Sequence, residues 1–117
     1  MPIFTADEAQ AGAELFPDGA WTNVLADGAH QQFLWARFDP GSVYRLHSHP
    51  YEQSSVMLQG RMRLTVGDEV RDIGPGDMWF APAGVPHGGE ILGDKPVVFI
   101  DVYAPHSGGV GSDVTYY

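Results

Sequence analysis

The sequence predicts an all-β sandwich or barrel, and three observations carry that expectation. Fifteen glycines and nine prolines are spread along 117 residues as punctuation, not gathered into one linker. Between them lie short runs, several with the period-2 alternation of a half-buried strand. A chain of this length has room for one closed core and not for two, so a single domain is expected.

Taken in order, residues 5–15 are the one helical candidate. Thr5 followed three positions later by Glu8 is the pattern of a capping box ahead of an alanine-rich stretch. A loose arm lying on a partner subunit is the alternative, and residues 1–31 are read as an N-terminal arm. Strands are expected over 32–38, 42–48, 53–58, 61–66, 70–73, 77–81 and 97–103. Met62, Leu64 and Val66 show the alternation, with Arg61, Arg63 and Thr65 on the other face. Turn signals separate the runs: Asp39-Pro40-Gly41, Gln59-Gly60, Gly67-Asp68, Gly74-Pro75-Gly76 and Pro82-Ala83-Gly84. Residues 32–105 form the expected barrel, and 106–117 a glycine-rich tail ending in two tyrosines.

Composition narrows the function classes. Fifteen acids against six bases give a formal charge of −9, which opposes contact with phosphate backbones and sets nucleic-acid binding aside. There is no apolar run long enough to cross a bilayer, and the N-terminus MPIFTADEAQ lacks the pattern of a secretory signal, so no membrane partner and a cytoplasmic location are expected. With no cysteine, any metal site must use nitrogen and oxygen ligands.

Those ligands are found in GSVYRLHSHPYEQSSVMLQG, residues 41–60. Residues i and i+2 of a strand share a face, so His47 and His49 present two imidazoles side by side, a metal-chelating arrangement. A second stretch, GDMWFAPAGVPH, runs from Gly76 through a strand and a Pro82-x-Gly84 turn to His87. Three imidazoles need an oxygen to complete a set of four, and Gln53 can supply it.

At these residues the chain resembles the cupin superfamily, whose first motif reads G-x5-H-x-H-x3,4-E-x6-G and whose second reads G-x5-P-x-G-x2-H-x3-N. Gly41, His47, His49, Gln53 and Gly60 match the first, with Gln in place of Glu; Gly76, Pro82, Gly84 and His87 match the second, with Ile91 where Asn is usual. The resemblance implies a small single-domain cupin barrel, a double-stranded β-helix of jelly-roll type. It also implies one divalent transition metal per chain at His47, His49, Gln53 and His87, with nickel, manganese, zinc and iron all open. A homodimer is expected as well, because exposed sheet edges of small barrels are commonly paired.

Within the superfamily, HSHPYEQ is similar to the string in KdgF-type proteins of uronate catabolism, which open the ring of 4,5-unsaturated uronates. Those proteins also have a segment like Asp101-Val-Tyr103-Ala-Pro105, whose acid is the catalytic candidate, followed by an arginine where this chain has Ser107. Asp101 is independently conspicuous, since an acid within VVFIDVYAP is costly without a partner or a task. It is read as a proton-transfer group or as a salt-bridge partner of Arg45. Arg45, two residues before His47, is expected on the ligand face, holding a substrate carboxylate. Tyr103, Tyr51, Met57 and Trp35 are the expected pocket walls, and His30 and His106 are expected in solvent. Redox-neutral lyase or isomerase chemistry on a small sugar acid or carbonyl compound is the leading expectation. A cupin dioxygenase, a hydroxynitrile lyase with its similar H-x-H-P-x-x-Q set, and a non-catalytic binding cupin are the alternatives.

Overall fold

Across residues 2–105 and 113–117, the computed structural model describes one short helix and eleven strands. They are α1 (Ala6–Ala11), β1 (Glu14–Leu15), β2 (Trp21–Asp27), β3 (Gln32–Phe38), β4 (Val43–Ser48), β5 (Glu52–Gln59), β6 (Arg61–Val66), β7 (Glu69–Ile73), β8 (Met78–Ala81), β9 (His87–Leu92), β10 (Val97–Ala104) and β11 (Thr115–Tyr116). The central strands behave as one long hairpin wrapped on itself. Strand β6 pairs with β7 across the Gly67–Asp68 turn, β5 with β8, β4 with β9, and β3 with β10, all antiparallel. Successive pairs fall on alternate sides, giving a six-stranded sheet in the order β1-β2-β3-β10-β5-β8 and a five-stranded sheet in the order β11-β4-β9-β6-β7. This is the double-stranded β-helix that the cupin resemblance implies.

The seven expected strands correspond to β3–β8 and β10. Strand β9 was not anticipated, because HGGEIL carries no alternation and two adjacent glycines. Close approach of neighbouring strands demands both. A Cβ on Gly88 would lie 2.7 Å from the Tyr44 carbonyl oxygen, and one on Gly89 would lie 2.6 Å from Met62 Sδ.

The capping box forms as expected, with Glu8 N donating to Thr5 Oγ1 (3.1 Å) and Thr5 N to Glu8 Oε1 (3.0 Å). The helix is shorter than residues 5–15 because Glu14 and Leu15 pair with β2. Residues 21–27, read from sequence as part of an arm, are β2 and run along β3 from Trp21↔Arg37 to Asp27↔Gln32. No helix among the described residues is long and apolar enough to cross a membrane.

Alternation decides which side chains enter the space between the sheets. Phe38, Tyr44, Met57, Met62, Leu64, Trp79, Val97 and Phe99 form the main core there, with the Phe38 ring 5.0 Å from Tyr44 and 6.0 Å from Phe99. Trp35, flanked on β3 by the inward Leu34 and Ala36, points the opposite way and packs with Ala9 of α1 and Val98. The helix is therefore a cap on the outer face of the six-stranded sheet, tied down by Asn23 Nδ2 donating to the Ala9 carbonyl (2.9 Å). This corrects the expectation that Trp35 lines the pocket. Because Trp35 is only 3% exposed, Trp35→Ala is expected to cost about 3–5 kcal/mol in urea denaturation while leaving metal content unchanged.

Candidate metal centre

The nested pairing brings the two motif regions together. Strand β4 carries His47 and leads into His49; its partner β9 begins with His87, directly opposite His47. Strand β5 presents Gln53 beside Ala81 of β8 and Tyr103 of β10. One ring nitrogen from each of His47, His49 and His87 lies within 4.8 Å of the others, and all three residues are buried.

The second nitrogen of each ring explains its orientation. His47 Nδ1 is 2.7 Å from the Arg45 carbonyl, His49 Nδ1 is 2.8 Å from that of Tyr51, and His87 Nδ1 is 3.0 Å from that of Val85. A carbonyl only accepts, so the hydrogen-bond network assigns the proton to Nδ1 in all three rings and leaves each Nε2 with a lone pair. For His49 and His87 that Nε2 faces Gln53 Oε1, another acceptor, at 3.1 and 3.0 Å.

Protonation does not readily resolve this convergence. Burial lowers the pKa of His47, against the opposing pull of the Arg45 carbonyl. Burial likewise takes His87 down to about 4, against the Val85 carbonyl and helped by the two neighbouring histidines. Acceptors that face one another without a hydrogen between them are stabilised by a cation. The residues present thus fit a first-row transition metal, which three imidazoles and one amide oxygen are suited to hold.

The amide of Gln53 is fixed from behind. Its Nε2 lies within donating distance of Asp101 Oδ1 (2.9 Å), Ser55 Oγ (3.0 Å) and the Tyr44 hydroxyl (3.3 Å), which turns Oε1 toward the histidines. Ser55 Oγ donates to the same oxygen of Asp101, and the Tyr103 hydroxyl approaches Oδ2 at 3.5 Å. These contacts follow from register, since β10 sets Asp101 opposite Ser55 and Tyr103 opposite Gln53. Burial raises the Asp101 carboxyl to about 7, against the lowering effect of the hydrogen bonds from Ser55, Gln53 and Tyr103. Burial also holds the Tyr44 and Tyr103 phenols well above their usual range, with the Asp101 charge adding to it.

A cavity of about 230 Å³ opens over His47 and His49, with Asp101, Tyr51 and Tyr103 in its wall. Met57, expected there, is fully buried in the core and does not line it. Arg45 reaches the cavity but does not share His47's buried face as the alternation predicts. A register shift between Tyr44 and His47 puts both of those residues inward and leaves Arg45 exposed. The expected Arg45–Asp101 salt bridge is absent among the described residues; Arg45 Nε donates instead to the Tyr117 carbonyl (3.3 Å). His30 is exposed as expected, while His106 and Ser107 lie outside the described residues. Ser55, Asp18, Val114 and Tyr116 lie outside the expected site, while Tyr44 both packs in the core and lines the cavity. Ser55 alone left a signal, as the polar inward neighbour of Gln53 two residues on.

A cupin domain is matched over residues 34–103. Oxalate decarboxylase OxdC of Bacillus subtilis (strain 168) is 36% identical over 61 residues, covering 48% of this chain and only 16% of that protein. KdgF from Halomonas sp. is 26% identical with a TM-score of 0.72, covering 80% of this chain and 85% of that one. A double-stranded β-helix protein from Klebsiella pneumoniae subsp. pneumoniae MGH 78578 superposes with a TM-score of 0.78 at 23% identity, over 97% of this chain and 95% of its own. With the nested strand pairing, the two histidine motifs and the matched domain in agreement, the chain belongs to the cupin superfamily and bears a KdgF-like resemblance.

Proposed function

We propose that the chain is a metal-dependent enzyme of redox-neutral lyase or isomerase type, and that its reaction is the ring opening of a 4,5-unsaturated uronate. The observation that carries this reading is the bond from Gln53 Nε2 to the buried Asp101, which joins a carboxyl titrating at about 7 to the group that completes the metal set. The likeness to KdgF supports the choice of substrate. A divalent transition metal held by His47, His49, Gln53 and His87 would supply Lewis acidity, undiminished by any anionic ligand in that set.

The chain's own groups handle the proton. In the metal-free chain burial raises the Asp101 carboxyl to about 7, toward the range in which a carboxyl both gives and takes a proton at neutral pH. Ser55 and Gln53 engage Oδ1 of Asp101, leaving Oδ2 on the side of Tyr103, which shares the cavity wall. In the ring opening, Asp101 delivers its proton to the enol-ether carbon. The bond from the ring oxygen to the anomeric carbon breaks, and the proton released by the anomeric hydroxyl restores the acid. Electrons and atoms balance without an oxidant. The Tyr51 and Tyr103 rings stand 4.1 and 5.3 Å from the His49 ring and give the cavity an aromatic wall beside the histidines.

The product lacks the double bond conjugated to the carboxylate. Metal-loaded protein is therefore expected to hasten the fall in ultraviolet absorbance of the unsaturated uronate above its spontaneous rate. A decay equal to the spontaneous one, with the metal confirmed by elemental analysis, would remove the uronate reaction and leave the family assignment standing.

A further inference from the structure

At the mouth of the cavity, β11 lies along the strand that carries His47, pairing Tyr116 with His47 and Thr115 with Ser48. Tyr117 secures it, with its backbone N donating to the Leu46 carbonyl (3.0 Å) and its hydroxyl 2.8 Å from Ser48 Oγ. The Tyr116 ring consequently stands 5.9 Å from the His47 imidazole, and the Arg45 guanidinium lies 5.0 Å from the Tyr116 centroid. Among the described residues Arg45 is held through Nε by the main-chain oxygen of Tyr117, and no Asp or Glu side chain pairs with it.

We propose that Arg45 and Tyr116, brought together by β11, form an anion subsite that selects flat, conjugated monocarboxylates. A guanidinium fixed at Nε still presents its outer N–H fork, the geometry that chelates a carboxylate. In a chain of formal charge −9, it is the one Lys or Arg in the described wall of this cavity. Asp18, in the same wall, opposes a second negative charge on the ligand. The Tyr116 ring offers a face against which an unsaturated acid stacks and a puckered one does not.

The apolar part of the wall, Leu34, Ala36, Phe38 and Phe99, gives an unsaturated ligand carbon surface to lie against, while Thr22, Tyr51, Tyr103 and Asp101 leave polar groups for its other end. The inference rests on the proposed function only in sending the far end of the ligand to the histidines.

The test is calorimetric titration of the full chain with furan-2-carboxylate, a flat monoanion. Tetrahydrofuran-2-carboxylate, puckered with the same charge, and furan-2-carboxamide, flat and neutral, are the comparisons. Each titration is run on nickel-loaded and on chelator-stripped protein, with the metal counted by elemental analysis. Furan-2-carboxylate is expected to bind at least tenfold more tightly than either comparison, in both forms of the protein.

Arg45→Gln keeps a donor for the Tyr117 carbonyl but removes the charge, and is expected to weaken binding tenfold or more with circular dichroism unchanged. Tyr116→Leu is expected to erase the preference for the flat acid, and Tyr116→Phe to retain it. Equal affinity for flat and puckered acids would overturn the proposal. So would binding that survives Arg45→Gln but vanishes with the nickel, since the carboxylate would then sit at the histidines. Arg45-dependent binding in protein that fails the uronate assay would uphold the subsite and reject the uronate reaction alone.

Discussion

Alanine in place of His87 is expected to leave a folded barrel that retains less than a tenth of the metal held by the wild type. His87 is fully buried, opens β9 opposite His47, and directs its Nε2 toward Gln53 Oε1. Its loss removes one of three imidazoles from a set in which the fourth group is only a neutral amide. The measurement is elemental analysis of dialysed protein after exposure to nickel, manganese, zinc or iron, with about one metal per chain expected for the wild type. Acid should release the metal late, because burial has already taken His87 down to about 4 and protons compete weakly for it above that pH. Wild-type protein that neither holds nor rebinds any of the four metals would end the reading of this site.

Asp101→Asn is expected to separate chemistry from metal binding. The amide cannot deliver a proton, so acceleration of uronate ring opening should disappear while the metal stays bound. A second readout comes from the metal-free protein. The Asp101 carboxyl sits at about 7 when folded, against a usual 3.8, so the folded state binds this proton more tightly than the unfolded state does. Its contribution to stability is complete below 3.8 and is lost as pH rises through 7, a swing on the order of 4 kcal/mol. Asparagine never ionises and keeps an acceptor oxygen for Ser55 and Gln53. Metal-free Asp101→Asn should therefore melt above the wild type at pH 8.5, with the gap closing by pH 5. The same gap at both values would show that Asp101 carries no buried charge.

The parts of this molecule that were legible in the sequence are those governed by local rules. Alternation marks β3 through β8 and β10, and the capping box at Thr5 and Glu8 marks α1. The grouping of His47, His49 and Gln53 was legible because they occupy a strand, its end and the start of the next, where side-chain direction follows from counting. What escaped depends on partners distant in the chain. The glycines of β9 make sense only against Tyr44 and Met62, and β2 and β11 are strands because β3 and β4 offer them edges. Trp35 faces α1 and not the cavity, which its size and aromaticity do not reveal. Arg45 lies off the face that alternation assigns it because of a bulge between Tyr44 and His47, a feature with no mark in GSVYRLHSH.

The wrapped hairpin also governs the order in which this chain can fold. Its innermost pair, β6 with β7, closes a two-residue turn, whereas β3 with β10 joins Gln32 to Tyr103 across most of the chain. Ring closure grows costlier with the length enclosed, so pairing is cheapest from the inside outward, and the many distant pairings place the chain among slow folders, on the millisecond-to-second scale. His47 meets His87 only at the β4–β9 stage, and Asp101 reaches Ser55 only when β10 docks on β5. On that order the cluster of His47, His49 and His87 is completed late, so a metal bound there would add its stabilisation to the finished barrel.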